Sequence, residues 1–184
     1  MRSFLAIDFE RNIKAKLADI QSDFRKLAVS GRWKYIDNFH LTLKFLGEVD
    51  PGMIKDIDQR LISICSSFKQ FQLKFSHVGY FPGKDNIRVL WLGLTGDLVM
   101  LKTLQQQIDK QMGGLGFKEE KRDYIPHITI GQDIIFRDEF ENIRNMVNID
   151  DIPAINVKDV YFFKSEQING KRIYTPISRY SFGK

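Results

Sequence analysis

Two histidines and two threonines in this 184-residue chain recur in one pattern, His-x-Thr with apolar residues between. The first lies in Asn38-Phe39-His40-Leu41-Thr42-Leu43-Lys44-Phe45-Leu46-Gly47 and the second in Ile125-Pro126-His127-Ile128-Thr129-Ile130-Gly131. With three His and five Thr in the chain, random placement yields roughly 0.08 such pairs, so two of them demand a cause. Alternation predicts a strand for each segment. His40 and Thr42 then share one face while Leu41, Leu43 and Phe45 turn to a core, and His127 and Thr129 do the same against Ile128 and Ile130. Imidazole is the side chain that offers both protonation states near neutrality. Two of them on opposite sides of one phosphorus would work as base and acid, one taking a proton from water and one protonating the oxygen that departs in line. The threonine hydroxyls would hold the non-bridging oxygens. Two His without a third ligand at a recognisable spacing do not make a zinc signature, and no cofactor is expected.

The elements that must carry these residues follow from hydrophobic period. Ser3–Phe9 reads as a strand, then Ile13, Leu17, Ile20, Phe24 and Leu27 mark a helix. Asp50 and Pro51 open a second helix with Ile54, Ile57, Leu61, Ile64 and Phe68 on one face. Strands are expected over Phe71–Phe81 and Ile87–Leu94, and a helix capped by Asp97 with the stripe Leu101, Leu104, Ile108, Met112. After strand His127–Ile130 come a short helix around Phe140 and Ile143 and strands Ile155–Phe163 and Arg172–Phe182. A strand-helix-strand-helix-strand unit thus begins at Ser3 and again at Ile87, an offset of about 84 residues, and the two His-x-Thr segments fall at matching places in it. Val78-Gly79-Tyr80-Phe81 followed by Arg88 is echoed by Val160-Tyr161-Phe162-Phe163 followed by Arg172. The expectation is a single α+β domain over residues 1–184, internally duplicated at approximately 1–85 and 86–184. Its two lobes, related by a pseudo-two-fold, should carry mainly antiparallel sheets with outer helices and a central cleft between them.

Composition bounds the rest. Of all residues 43% are hydrophobic, enough for a real core, which excludes a disordered chain. A single cysteine, Cys65, excludes an internal disulfide and suits a reducing compartment, and it adjoins the apolar face of the second helix. No run approaches the roughly 20 apolar residues of a membrane span, so no membrane association is expected. The net charge of +5 is compatible with an anionic partner and decides nothing alone.

His40-Leu-Thr-Leu-Lys-Phe-Leu-Gly-Glu and Pro126-His-Ile-Thr-Ile resemble the paired motifs of the 2H phosphoesterases, in particular the bacterial and archaeal RNA 2′,3′-cyclic phosphodiesterases, also called 2′-5′ RNA ligases. The opening Met1-Arg2-Ser3-Phe4-Leu5-Ala6-Ile7, Arg32-Trp33, Gly79-Tyr80-Phe81-Pro82 and Arg88-Val89-Leu90-Trp91 are similar to that family's landmarks. The resemblance implies metal-free hydrolysis of an RNA 2′,3′-cyclic phosphate end, or of a cyclic nucleotide, to a 2′-phosphomonoester, by a cytoplasmic monomer. It implies His40 as proton donor to the departing 3′ oxygen, His127 as proton acceptor from water, and Thr42 and Thr129 on the phosphate. Reverse ligation to a 2′-5′ linkage and a non-catalytic RNA-binding module are the alternatives. Many relatives carry Arg five residues after the second motif histidine, where this chain has Gln132. Lys44, on the His40 face by alternation, and Arg88 are the candidate replacements. Trp33, Tyr35 and Phe39 could stack on a base. His77 has no threonine two residues on and is read as structural. Gly113-Gly114-Leu115-Gly116 lacks the Lys-Ser/Thr of a phosphate loop and reads as a helix stop, and Lys118–Arg122 as a solvated loop.

Overall fold

The computed structural model describes residues 1–183. In chain order its elements are β1 (Arg2–Asp8), α1 (Arg11–Leu27), β2 (Ala28–Trp33), β3 (His40–Glu48), α2 (Ile54–Ser67), β4 (Phe71–Pro82), β5 (Ile87–Gly96), α3 (Leu98–Gly113), β6 (His127–Phe136), α4 (Phe140–Asn145), β7 (Ile155–Val157), β8 (Asp159–Ile168) and β9 (Lys171–Ser181). Two antiparallel sheets result, β3-β1-β8-β9 and β2-β6-β5-β4-β7. The run β3-β1-β8 in one matches β6-β5-β4 in the other. Each sheet thus joins strands from both ends of the chain: β4 pairs with β5, and β8 pairs with β1.

Each helix exists because its apolar residues recur on one face that a sheet can cover. Ile13, Leu17, Ile20 and Phe24 of α1, Ile57, Leu61, Ile64 and Cys65 of α2, and Leu101, Leu104, Ile108 and Met112 of α3 are all buried. They pack with Leu5 and Ile7, Leu41 and Leu43, Leu90 and Leu92, and Ile128 and Ile130 in one continuous core. At about 1.5–3 kcal/mol for each large apolar side chain removed from water, this core dominates the stability. The opposite faces of the same strands carry a second, smaller cluster, Phe4, Ala6 and Phe163. That face, shielded from the helices, is the one that carries the histidines. Asp50 opens the second helix by accepting the Gly52 N–H (2.8 Å), with Pro51–Met53 as a 3₁₀ turn before α2. Asp97 precedes α3, but its carboxylate accepts the Gln72 N–H (3.0 Å) in place of a helix N–H, because β4 runs past it. Asn169-Gly170 forms the two-residue turn of the β8–β9 hairpin, both with positive φ. Among the described residues no helix is long and apolar enough to cross a membrane.

Candidate active site

The register places the two motifs equivalently. His40 stands opposite Asp8 and Thr42 opposite Ala6 on β1, while His127 stands opposite Gly93 and Thr129 opposite Trp91 on β5. In both, the residue after the threonine is skipped by the pairing: Leu5 faces Lys44 and Ala6 faces Thr42, leaving Leu43 over, and Leu90 faces Gly131 and Trp91 faces Thr129, leaving Ile130 over. A β-bulge of this kind inverts the alternation beyond it. Lys44 is thereby turned to the helix side, contrary to the face that simple alternation assigns it. Lys44 is 6% exposed, and its ammonium is held by the Asp109 carboxylate of α3 and donates to the Lys118 carbonyl (2.8 Å). Lys44 is thus committed away from the histidines. The same inversion brings Phe45 and Gln132 onto the histidine side.

His40 is fixed from both ends. Its Nδ1–H donates to the Asn38 carbonyl (2.9 Å), which can only accept, so in the neutral ring Nε2 carries the lone pair and accepts a hydrogen bond from the Thr42 hydroxyl (2.9 Å). Asn38 is itself buried and anchored, its Nδ2 donating to the Arg172 carbonyl of β9 (2.7 Å). The imidazole lies among aromatic rings, with Phe4 at 4.8 Å, Tyr174 edge-on at 5.2 Å and Phe163 at 6.4 Å between centroids. His127 repeats the device. Its Nδ1–H donates to the Ile125 carbonyl (2.7 Å), and Phe81 stands edge-on at 5.2 Å with Trp91 at 6.0 Å. Phe81 and Phe163 are the corresponding residues of the two crossed strands. Tyr124, just before the second motif, donates its hydroxyl to the Thr42 carbonyl (2.9 Å) and ties the two motif strands together.

The third histidine is not a core residue. His77 is exposed, its Nδ1 beside the Ser76 hydroxyl (2.8 Å) and its ring edge-on to Trp91 at 5.4 Å. It leans over Gly93, where an added Cβ would meet its Cε1 at 2.3 Å. Gly93 is the cross-strand partner of His127, so His77 stands in the same row of the sheet. Trp91 in turn lies across Gly79, and its buried Nε1–H has no partner among the described residues.

Electrostatics follow from this packing. Burial among the rings, with the Lys34 ammonium second, drives the His40 pKa down to about 3, and the charge of His127 adds to the depression. Burial lowers His127 as well. Both imidazoles of the free site are therefore neutral at pH 7. Beside His40 opens a cavity of about 630 Å³ whose walls include Phe4, Asn38 and Tyr174, all in contact with that ring. Gln132 lines it, as do Trp33 and Tyr35; Phe39 is fully buried and cannot stack on a ligand. Arg88 is exposed and outside the lining. Cations that sequence reasoning passed over, Arg2, Lys34 and Arg172, line the cavity. Of these Arg172 was signalled, since the sequence echo Val78–Phe81/Val160–Phe163 sets it against Arg88. Thr129 is half-buried in the His127 row. Lys118–Arg122 is a loop with its own Arg122–Glu120 ion pair, α3 stops at Gly113, and Cys65 is buried with its thiol pushed up to about 12. Among the described residues no group of three or more His, Cys, Asp or Glu side chains converges on a metal position.

Two crossed antiparallel sheets, each presenting one His-x-Thr bulge, define a 2H phosphoesterase. The family described as LigT-like phosphoesterase matches over residues 7–91 and 99–174, and the chain belongs to it. It is 33% identical over 183 residues to an RNA 2′,3′-cyclic phosphodiesterase of Methanocaldococcus jannaschii, covering 98% of this chain and all of that one. A protein of the same name from Thermotoga maritima is 33% identical over 157 residues, 85% of this chain and 81% of the relative. Among solved structures, Escherichia coli LigT complexed with 3′-AMP superposes with a TM-score of 0.81 at 27% identity, covering 100% of this chain and 98% of that one.

Proposed function

We propose that this chain hydrolyses the 2′,3′-cyclic phosphodiester at the end of an RNA, leaving a 2′-phosphomonoester, with no metal in the step. The observation that carries the reading is the duplicated imidazole geometry. Each histidine spends its Nδ1–H on the carbonyl two residues upstream, so that in both it is Nε2 that is left for proton transfer. His127 Nε2 accepts a proton from water as its oxygen attacks phosphorus; the P–O3′ bond breaks in line, and His40 delivers the proton to O3′. Once His40 is charged its Nε2 no longer accepts from Thr42, and the Thr42 and Thr129 hydroxyls donate to the non-bridging oxygens as negative charge builds there. His40 must first be charged, and the free site keeps it neutral. The phosphodiester anion supplies the missing counter-charge, so protonation of the acid accompanies substrate binding. The two halves, residues 1–85 and 86–184, are read as copies of one unit within a single domain, supported by the matching strand orders and bulges. The molecule is read as cytoplasmic, in keeping with its one free, buried cysteine, and as a monomer.

The test is an RNA oligonucleotide ending in a 2′,3′-cyclic phosphate, incubated with the protein in EDTA and resolved for 2′- against 3′-phosphate ends. A 2′-phosphate product is expected. A 3′-phosphate would contradict cleavage of P–O3′, and retained binding without turnover would favour the non-catalytic module.

A further inference from the structure

Gln132 faces the cavity because the bulge at Ile130 turns it there, and it brings no charge. Its cross-strand neighbour Arg32 also lines the cavity, but its guanidinium is already paired with the Asp133 carboxylate, Nε donating at 2.8 Å. Two residues further along, Lys34 is pinned by its backbone to the second motif: its N–H donates to the Ile130 carbonyl (3.2 Å), and Gln21 Nε2 bridges the Lys34 and Ile130 carbonyls at 2.8 Å each. Its side chain lines the cavity, is half-buried, and forms no ion pair with any described residue. Arg172 and Arg2 line the same cavity, again without a carboxylate partner among the described residues. Arg2 is exposed, but Lys34 and Arg172 are half-buried, and half-buried cations gathered without anions are disfavoured unless an anion completes them. The site has that anion only when a ligand brings it.

Resting on the reading that the site takes a terminal RNA phosphate, we propose that Lys34, with Arg172 beside it, supplies the cationic contact to that phosphate that Gln132 cannot. Lys34 is thereby a binding residue of the reaction, reached from the segment just past β2 and not from the motif strand. Its charge also ties binding to proton transfer. The ammonium that helps keep His40 neutral in the free site is the one the incoming phosphate neutralises, so the same event that fills the cavity permits His40 to charge.

The experiment uses the full chain and two probes, inorganic phosphate and 2′-AMP, with affinities read by calorimetry. Lys34→Met should weaken both by at least about tenfold. Lys34→Arg should stay within about threefold of wild type, and Gln132→Arg placed in the Lys34→Met background should restore affinity by restoring a cation at the cavity wall. Lys84→Met, in the exposed β4–β5 turn, is the control and should change nothing. Thermal melts establish that each variant is folded. Undiminished affinity in Lys34→Met overturns the inference, as does a failure of Gln132→Arg to rescue it. Wild-type turnover of the cyclic-phosphate RNA is measured in parallel. Turnover with binding indifferent to Lys34 sinks this inference and leaves the proposed activity standing, and Lys34-dependent binding without turnover does the reverse.

Discussion

In the free protein, His40 should titrate some three and a half pH units below an ordinary histidine, and phosphate should bring it back. The fall from 6.5 to about 3 corresponds to about 5 kcal/mol favouring the neutral ring, drawn first from burial against Phe4, Phe163 and Tyr174 and then from Lys34. A phosphate monoanion about 4 Å away, at an effective dielectric near 20, returns about 4 kcal/mol, or close to three pH units. His40 in the complex should therefore titrate near neutrality, where an acid is useful. The measurement is an NMR titration of the three imidazole Cε1–Hε1 signals, assigned through His40→Gln, His77→Gln and His127→Gln and repeated with saturating phosphate. The stability of the free protein carries the same signature. Between pH 6.5 and about 3 the unfolded chain holds a proton on His40 that the folded chain does not, so acidification through this window favours unfolding. Urea midpoints should fall with pH in wild type and fall less steeply in His40→Gln. A His40 signal titrating near 6.5 without ligand, or one that phosphate leaves in place, would refute the electrostatic reasoning.

His40→Ala and His127→Ala should each lower turnover of cyclic-phosphate RNA by at least about 10²-fold with the melting temperature little changed, as read by single-turnover kinetics. Tyr124→Phe removes a buried hydrogen bond between the motif strands and should cost about 1 kcal/mol in denaturant unfolding together with a drop in kcat. Gly79→Ala places a methyl 2.3 Å from the Trp91 ring and should destabilise by about 1–3 kcal/mol, with altered indole fluorescence. Asp109→Ala strands the Lys44 ammonium and should cost about 3–5 kcal/mol, whereas Lys44→Met combined with Asp109→Leu should recover most of that loss.

Why some of this was legible in the sequence and some was not has a physical pattern. Helices with a full apolar stripe, such as α1 with Ile13, Leu17, Ile20 and Phe24, declare themselves, as do strands whose alternation is set by one buried face. The motif histidines were readable because the chain states the motif twice. β2 was missed: Ala28–Trp33 continues α1 without a break and is an edge strand with no regular burial. The single strand expected over Ile155–Phe163 is two, β7 and β8, because the chain changes sheets at Lys158. Bulges leave no mark in hydrophobic period, since Leu43 and Ile130 are as apolar as any paired residue, and so the faces of Lys44 and Phe45 were both misread: Lys44 is buried and Phe45, expected in the core, is exposed. Lys34 looked like one of many surface lysines, because what distinguishes it is the lack of a carboxylate nearby.

The crossed strands bear on how the chain is made. As the protein leaves the ribosome, β1 and β3 emerge early, but the edge of β1 stays bare until β8 is synthesised, most of a chain length later. Phe163 and Tyr174, which desolvate His40, and Arg172, whose carbonyl anchors Asn38, arrive in that last stretch. Such long-range pairing is slow to form and cannot be rehearsed by the nascent amino-terminal half alone. The first motif to be translated is thus the last to become a site, and a chain that has lost its final two strands has His40 without the surroundings that give it its chemistry.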